Sequence, residues 1–168
     1  MALTRLNTNA YGSTVNLASN VTGTLANSNL AAGNVIQVVT ATDSTARATT
    51  STSFVTASNT LSVNITPSST SSKIFITYNT AVYKNGNNEY GNTTVYRDST
   101  NLGGTNGFNY FYIGSDDLGQ QVSASILDTP NTTSQITYQV YIKNNAGTFT
   151  INYENTIASI TAMEIAGW

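Results

Sequence analysis

The chain has 168 residues, a length that suits one folded domain with a short extension. It contains 29 Thr, 22 Asn and 18 Ser, only 8% of its residues are charged, and its net charge is −2. With so few cations there is no basic patch for a phosphate backbone, so nucleic-acid binding is not expected. Cysteine and histidine are absent, which excludes thiolate nucleophiles, disulfides, Cys/His zinc sites and the usual near-neutral general base. The sequence has neither a long apolar span nor an apolar leader, so it predicts no membrane partner and no secretory signal.

Residues 1–32 are predicted to form an extended N-terminal arm. Apolar residues there are isolated among Asn, Ser, Thr and Ala, and no helical or strand period lasts long enough to build a self-sufficient element. Such an arm is either a loose terminus or a segment held on another protein, and we expect the second. The residues predicted to contact that partner are Leu3, Arg5, Leu6, Tyr11, Val15, Leu17, Val21, Leu25 and Leu30.

Residues 33–168 are predicted to form an all-β head, an antiparallel β-sandwich. Short runs rich in Val, Ile, Thr and Tyr alternate with clusters of Gly, Asn, Asp and Ser, and no helical period appears. This spacing predicts a sandwich or barrel of about eight or nine strands, with one or two of the candidate runs irregular. The candidate strands are residues 34–41, 45–56, 59–66, 73–84, 91–97, 108–114, 120–127, 134–143, 147–153 and 157–166.

Turn residues separate these strands. Residues 85–88 (Asn-Gly-Asn-Asn) predict a tight hairpin, because Asn and Gly tolerate a positive φ. Pro67 and Pro130 each follow a Thr and lie just before a long strand. They predict two equivalent corners at which the chain crosses between the sheets.

Two strands are expected to anchor the core, because their apolar residues alternate with polar ones. Burying each large apolar side chain contributes roughly 1.5 to 3 kcal/mol. The residues predicted to face the core are Ile74, Ile76, Tyr78, Thr80 and Val82 in one strand, and Ile136, Tyr138, Val140 and Ile142 in the other.

Consecutive aromatic residues at 108–113 place bulky rings on both sides of one strand. Either a loop of the same chain or a neighbouring subunit must cover the second side, and an uncharged patch rich in Tyr and Phe is typical of interface cores. The sequence therefore predicts a homo-oligomer, with a trimer favoured. The residues assigned to the oligomer interface are Phe108, Tyr110, Phe111, Tyr112 and Trp168.

Candidate chemical groups are few. Asp116 and Asp117 form the only acidic doublet, which is either a hard-cation site or a solvated loop. Glu164, between two apolar residues, is expected on the outward face of the last strand. Serine is abundant, but without histidine no base is evident for a hydroxyl nucleophile. The sequence thus assigns no catalytic residue, no cofactor and no metal ligand.

Several segments resemble a known family. Residues 22–25 (Thr-Gly-Thr-Leu) and 29–31 (Asn-Leu-Ala) resemble the linker of many tailed-phage fibre proteins. Residues 34–40, 65–74 and 162–167 resemble the jelly-roll head of marine and freshwater phage virion proteins. The resemblance implies a trimeric β-jelly-roll on a virus particle, with no catalytic set to transfer.

We expect the chain to depart from the fibre pattern, since the sequence shows neither a tail-attachment domain nor a long shaft before the head. This favours a capsid decoration (cement) protein, whose arm binds and stabilises the major capsid protein shell and whose head lies on the virion surface. The alternative is a short tail fibre or receptor-binding tip that contacts host surface glycans. A free-standing lectin is less favoured, and an enzyme is least favoured.

Overall fold

A computed structural model describes residues 31–167, which fold into two antiparallel β-sheets without an α-helix. No helix within these residues is long and apolar enough to span a membrane. The strands are β1 (Val35–Asp43), β2 (Arg47–Thr49), β3 (Val55–Thr56), β4 (Ser62–Ile65), β5 (Lys73–Lys84), β6 (Glu89–Arg97), β7 (Thr100–Asn101), β8 (Asn109–Ile113), β9 (Leu118–Asp128), β10 (Ile136–Asn144), β11 (Phe149–Ile151) and β12 (Ala158–Ile165), with a 3₁₀ helix at Tyr153–Asn155.

Part of the predicted interaction set lies outside the described residues, so its assignment stays a prediction. This applies to the arm residues Leu3, Arg5, Leu6, Tyr11, Val15, Leu17, Val21, Leu25 and Leu30 and to Trp168.

The eight longest strands divide equally between two sheets in a jelly-roll order. Sheet I runs β1-β12-β5-β9, and the short strands β11 and β2 extend it alongside the end of β5. Sheet II runs β4-β10-β6-β8, and the short strands β3 and β7 extend its two edges. This arrangement of two Greek keys confirms the predicted antiparallel sandwich.

The core lies between the inner faces of the two sheets, as the alternation predicted. Every core-facing residue predicted in β5 and β10 is buried, and these side chains pack with those of β11 and β12. Phe149 of β11 and Ile160 of β12 are also fully buried. The fold is therefore held by long-range contacts between strands that are distant in the sequence.

The two proline corners are confirmed as crossings between the sheets. Pro67 lies between β4 of sheet II and β5 of sheet I, and Pro130 lies between β9 of sheet I and β10 of sheet II. The predicted hairpin at residues 85–88 is wrong, because β5 and β6 belong to different sheets and do not pair. Gly86 and Asn88 do take a positive φ there, but the turn makes a third crossing.

The predicted strand at residues 45–56 is interrupted. Its ends form β2 in sheet I and β3 in sheet II, and the residues between them cross the sandwich. At this crossing the Ser51 hydroxyl donates a hydrogen bond to the Ser53 carbonyl and accepts one from the Ser53 N–H. The Ser51 N–H donates to the Thr49 hydroxyl. These local bonds compete with strand pairing.

Candidate interaction surfaces

Glu164 is buried on the inward face of β12, so its predicted outward position is wrong. Its Oε1 accepts hydrogen bonds from the Ser68 N–H at 2.7 Å, the Ser68 hydroxyl at 2.7 Å and the Ser72 hydroxyl at 2.6 Å. Its Oε2 accepts a bond from Gln37 Nε2 at 2.5 Å. Burial would raise the pKa of Glu164, but these bonds outweigh it and lower the pKa below its ordinary value. The carboxylate therefore fastens β1 and β12 to the Pro67 corner.

Asp128 joins the two sheets at the same end of the sandwich. Both of its oxygens accept hydrogen bonds at 2.9 Å from Nη1 of Arg97 in sheet II. The Tyr138 hydroxyl donates to Asp128 Oδ2 at 2.6 Å. Burial and this bond to a carboxylate raise the pKa of the Tyr138 phenol. The group is a structural clasp between β9, β6 and β10.

Asp43 closes the far end of β1. Its carboxylate accepts hydrogen bonds from the Ser58 hydroxyl, from the Thr45 N–H at 2.9 Å and from Arg47 Nε at 3.3 Å. Burial opposes ionisation, but these donors outweigh it and hold the pKa of Asp43 well below its ordinary range. The Asp43 carboxylate therefore also has a structural role.

The opposite end of the sandwich is held by a buried cation. Lys84 is fully buried, and its Nζ donates to the carbonyls of Asn85 at 2.6 Å and Ala146 at 2.8 Å. It also forms an ion pair with Glu89. One ammonium group therefore connects two of the crossing turns at this end.

The acidic doublet lies in the loop between β8 and β9. Asp117 accepts a hydrogen bond from the Tyr83 hydroxyl at 2.6 Å and one from the Gly86 N–H at 3.1 Å. The bond to Asp117 raises the pKa of the Tyr83 phenol to about 12. Asp116 accepts a bond from the neighbouring Ser115 hydroxyl. Within residues 31–167, no group of three or more Asp, Glu, His or Cys side chains is placed to hold a metal ion.

The aromatic residues predicted to form the oligomer interface lie partly in the core and partly on the surface. Phe111 is buried in the chain's own core and Phe108 packs against that core, so Phe111 is not available to a neighbouring subunit. Tyr110 and Tyr112 point outward from sheet II and are 55% and 50% exposed. The alternation of β8 therefore places the two faces of this strand in different environments.

The outward tyrosines belong to a small polar-aromatic cluster that we call the tyrosine strip, consisting of Tyr90, Tyr110 and Tyr112. The rings of Tyr90 and Tyr110 stack with their centroids 4.7 Å apart. The Tyr112 hydroxyl donates to Asn88 Oδ1 at 2.8 Å. The strip thus presents exposed ring surface in fixed orientations.

A second exposed apolar surface lies on the outer face of sheet I, and sequence reasoning missed it. Val38, Met163, Phe75 and Leu127 follow one another across β1, β12, β5 and β9 in the strand register. Val38 is 54% exposed and Leu127 is 47% exposed. The alternation in β5 already placed Phe75 on the outer face, but only the strand order shows that apolar residues of three other strands extend the row.

Comparisons with known proteins give matches among solved structures alone. No protein-family model matches the chain, and no curated protein matches its sequence. The solved structures that are similar to it include the VP2 subviral particle of infectious bursal disease virus, at 12% identity and a TM-score of 0.43. That match covers 92% of this chain and 42% of the other chain.

Two further matches have the same character. T=1 particles derived from infectious bursal virus match at 11% identity and a TM-score of 0.40, over 92% of this chain and 40% of the other. The Gt strain of infectious bursal disease virus matches at 11% identity and a TM-score of 0.39, over 82% of this chain and 43% of the other. The chain therefore spans less than half of the length of the structures that it matches.

Proposed function

We propose that this chain is a non-enzymatic bacteriophage virion structural protein, a homotrimeric capsid decoration protein. In this proposal the arm, residues 1–32, binds the major capsid protein shell, and the jelly-roll head lies on the virion surface. The observation that carries it is an uncharged tyrosine strip exposed on a β-sandwich whose carboxylates at positions 43, 128 and 164 serve structure. The sequence resemblance to phage virion proteins supports the same assignment.

The tyrosine strip is the surface that we assign to the contact between subunits. Tyrosine rings bury a large area with little loss of side-chain entropy, and they are enriched in interface cores. Tyr112 keeps its hydroxyl bonded to Asn88, so its ring can be covered without leaving a polar group unpaired. A neighbouring copy packed on the strip would cover the surface that β8 leaves open.

The oligomer is tested by light scattering on the full-length protein. We expect a mass of at least about three times 17.8 kDa for the wild type and a smaller mass for the double variant Y110S/Y112S. The matched control is Ile157→Ser, because Ile157 is 70% exposed elsewhere on the head. A wild-type monomer at micromolar concentration would reject the trimer.

The arm is tested by sedimentation with empty shells of the phage that encodes the chain. Full-length protein is expected to sediment with the shells, while a variant without residues 1–30 should remain in the supernatant with a circular dichroism spectrum typical of a folded β head. Retained binding by the shortened chain would reject the role of the arm. Failure of the full-length protein to bind would reject the decoration function itself.

A receptor-binding tip is the second candidate, and the composition of the tyrosine strip favours it. Stacked tyrosines next to Asn88 and Asn145 provide both ring faces and amide groups, which are the groups that bind sugars by stacking and hydrogen bonding. A glycan array separates the candidates: binding by the wild type and loss of binding in Tyr112→Ser would support the tip. Immunogold labelling of virions should then mark the tail and not the shell.

A further inference from the structure

We propose that β9 is an assembly edge that pairs in antiparallel orientation with β9 of a second copy. The two copies would then share one continuous sheet across a two-fold axis. This contact goes beyond the trimer proposed above, because a cyclic trimer uses an interface with two different sides, whereas strand self-pairing uses the same side twice.

The first argument is the open edge of β9. The strand spans Leu118–Asp128 at the edge of sheet I, and it pairs with β5 in an unbroken register from Ile74↔Asp128 to Lys84↔Leu118. Among residues 31–167, no strand pairs with its other side, and its backbone makes no bond to a turn or loop. A row of unpaired backbone N–H and C=O groups is a template for another strand.

The second argument is that β9 lacks the usual protection of an edge. It contains no proline, no lysine and no bulge, and its one charged residue is Asp128 at the end. Its counterparts in the described part of the chain are protected: β1 has an irregular register between Val35 and Gln37, β4 has four residues and β8 has five. Natural proteins use short, bulged or charged edges to prevent pairing, so a long, regular edge whose one charge lies at its end indicates a partner.

The third argument is that the strand is self-complementary. If the two-fold axis passes through Ser123, Val122 lies opposite the partner's Ala124 and Leu127 lies opposite the partner's Gly119. Even-numbered residues then lie opposite even-numbered residues, and odd-numbered residues lie opposite odd-numbered ones. The inner and outer faces of both sheets therefore continue across the junction. The two Asp128 carboxylates are then roughly 34 Å apart at about 3.4 Å per residue, well beyond the Debye length. Self-pairing therefore brings no like charges together.

A cysteine cross-link tests this geometry in the full-length chain, which has no cysteine of its own. Residues directly opposite in an antiparallel pair have Cα atoms roughly 4.5 to 5.5 Å apart, which a disulfide can span. We expect Ser123→Cys to form a covalent dimer under mild oxidation. The matched control is Ser125→Cys, because the two copies of residue 125 would lie about four residues apart along the strand, roughly 14 Å.

A charge test gives an independent readout. Ser123 is exposed on the outer face, so a lysine there is tolerated by the single chain but faces its own copy across the axis. By light scattering, we expect S123K alone and S123E alone to have a smaller mass than the wild type. An equimolar mixture of the two variants should recover the wild-type mass. The control is Thr42→Lys, which adds the same charge in the same row at the opposite edge of sheet I.

The outcomes separate the two proposals. A covalent dimer for S123C but not S125C, together with rescue by the mixed charges, supports the β9 pair. No cross-link in S123C, or a cross-link that appears only after residues 1–30 are removed, overturns it, the second because the chain's own arm would then occupy the edge. A trimeric wild type, together with an S123C variant that does not cross-link, rejects the β9 pair and leaves the proposed trimer intact.

Discussion

Removing the carboxylate of Glu164 is predicted to weaken the Pro67 corner strongly. Glu164→Ala deletes the acceptor of four hydrogen bonds inside the sandwich. Two of its donor residues can turn to water, since Ser68 is exposed and Gln37 is half-buried. Ser72 cannot, because it is only 2% exposed.

The expected loss of stability follows from this difference in exposure between the donors. A buried donor left without a partner costs about 1 to 3 kcal/mol, and hydrogen bonds to a charged group are worth about 1.5 to 3 kcal/mol each. Relief from burying a charge offsets part of the loss. We therefore expect Glu164→Ala to lower the free energy of unfolding by about 2 to 4 kcal/mol, out of the roughly 5 to 15 kcal/mol that is usual for a domain.

The matched variant is Glu164→Gln. Its amide oxygen can still accept the bonds from Ser68 and Ser72, and only the bond to Gln37 must be rearranged, so we expect a loss of about 1 kcal/mol. Urea unfolding followed by circular dichroism measures both variants. If Glu164→Ala loses less than about 0.5 kcal/mol, or if both variants lose equally, the carboxylate is not the organising acceptor of this corner.

The comparison of wild type with Glu164→Gln also predicts how the free energy of unfolding depends on pH. The pKa of Glu164 is lower in the folded chain than its ordinary value of 4.5, so in acid the unfolded chain binds more protons. The stabilisation is therefore complete above pH 4.5 and is lost as the pH falls through the folded pKa. The difference in unfolding free energy between wild type and Glu164→Gln should narrow over that range. Asp43 also has a lowered pKa, but it is present in both proteins and cancels.

Two further predictions follow from close contacts. Gly91→Ala would place a Cβ against the Phe149 ring in the core, so we expect a loss of about 1 to 3 kcal/mol in urea unfolding, with Gly114→Ala, which meets open space, as a near-neutral control. Asp117→Asn should move the ionisation of Tyr83 from about pH 12 toward its ordinary pKa of 10, because the hydrogen bond to a charged acceptor is the largest cause of the shift. Ultraviolet difference titration measures this, and superimposable curves for wild type and variant would contradict the assignment.

The sequence pattern was sufficient to predict burial where burial depended only on which face of a strand a side chain occupies. The alternation in β5 and β10 identified their core residues, because successive side chains of a strand point to opposite faces. Pro67 and Pro130 marked two sheet crossings, because proline is excluded from the interior of a paired strand.

Patterns failed where the outcome depended on distant partners. Residues 85–88 have the composition of a hairpin, and the same positive-φ residues also serve a crossing between sheets, so only the pairing of β5 and β6 with other strands distinguishes the two. Glu164 was misplaced for a similar reason: its polar partners lie in β1 and in the corner after β4, far away in the sequence. A buried acid is tolerated when such donors surround it.

Composition and periodicity by themselves determined that this chain builds an all-β sandwich with few charges and without a histidine- or cysteine-based site, because those properties depend on residue types and on the two-residue repeat of a strand. Strand order decided the rest. Among residues 31–167 it placed β9 at an edge of sheet I, joined Val38, Phe75, Leu127 and Met163 into one row on the outer face, and turned the Phe111 face of β8 toward the core. These features arise from hydrogen bonds between segments tens of residues apart, which no local pattern encodes.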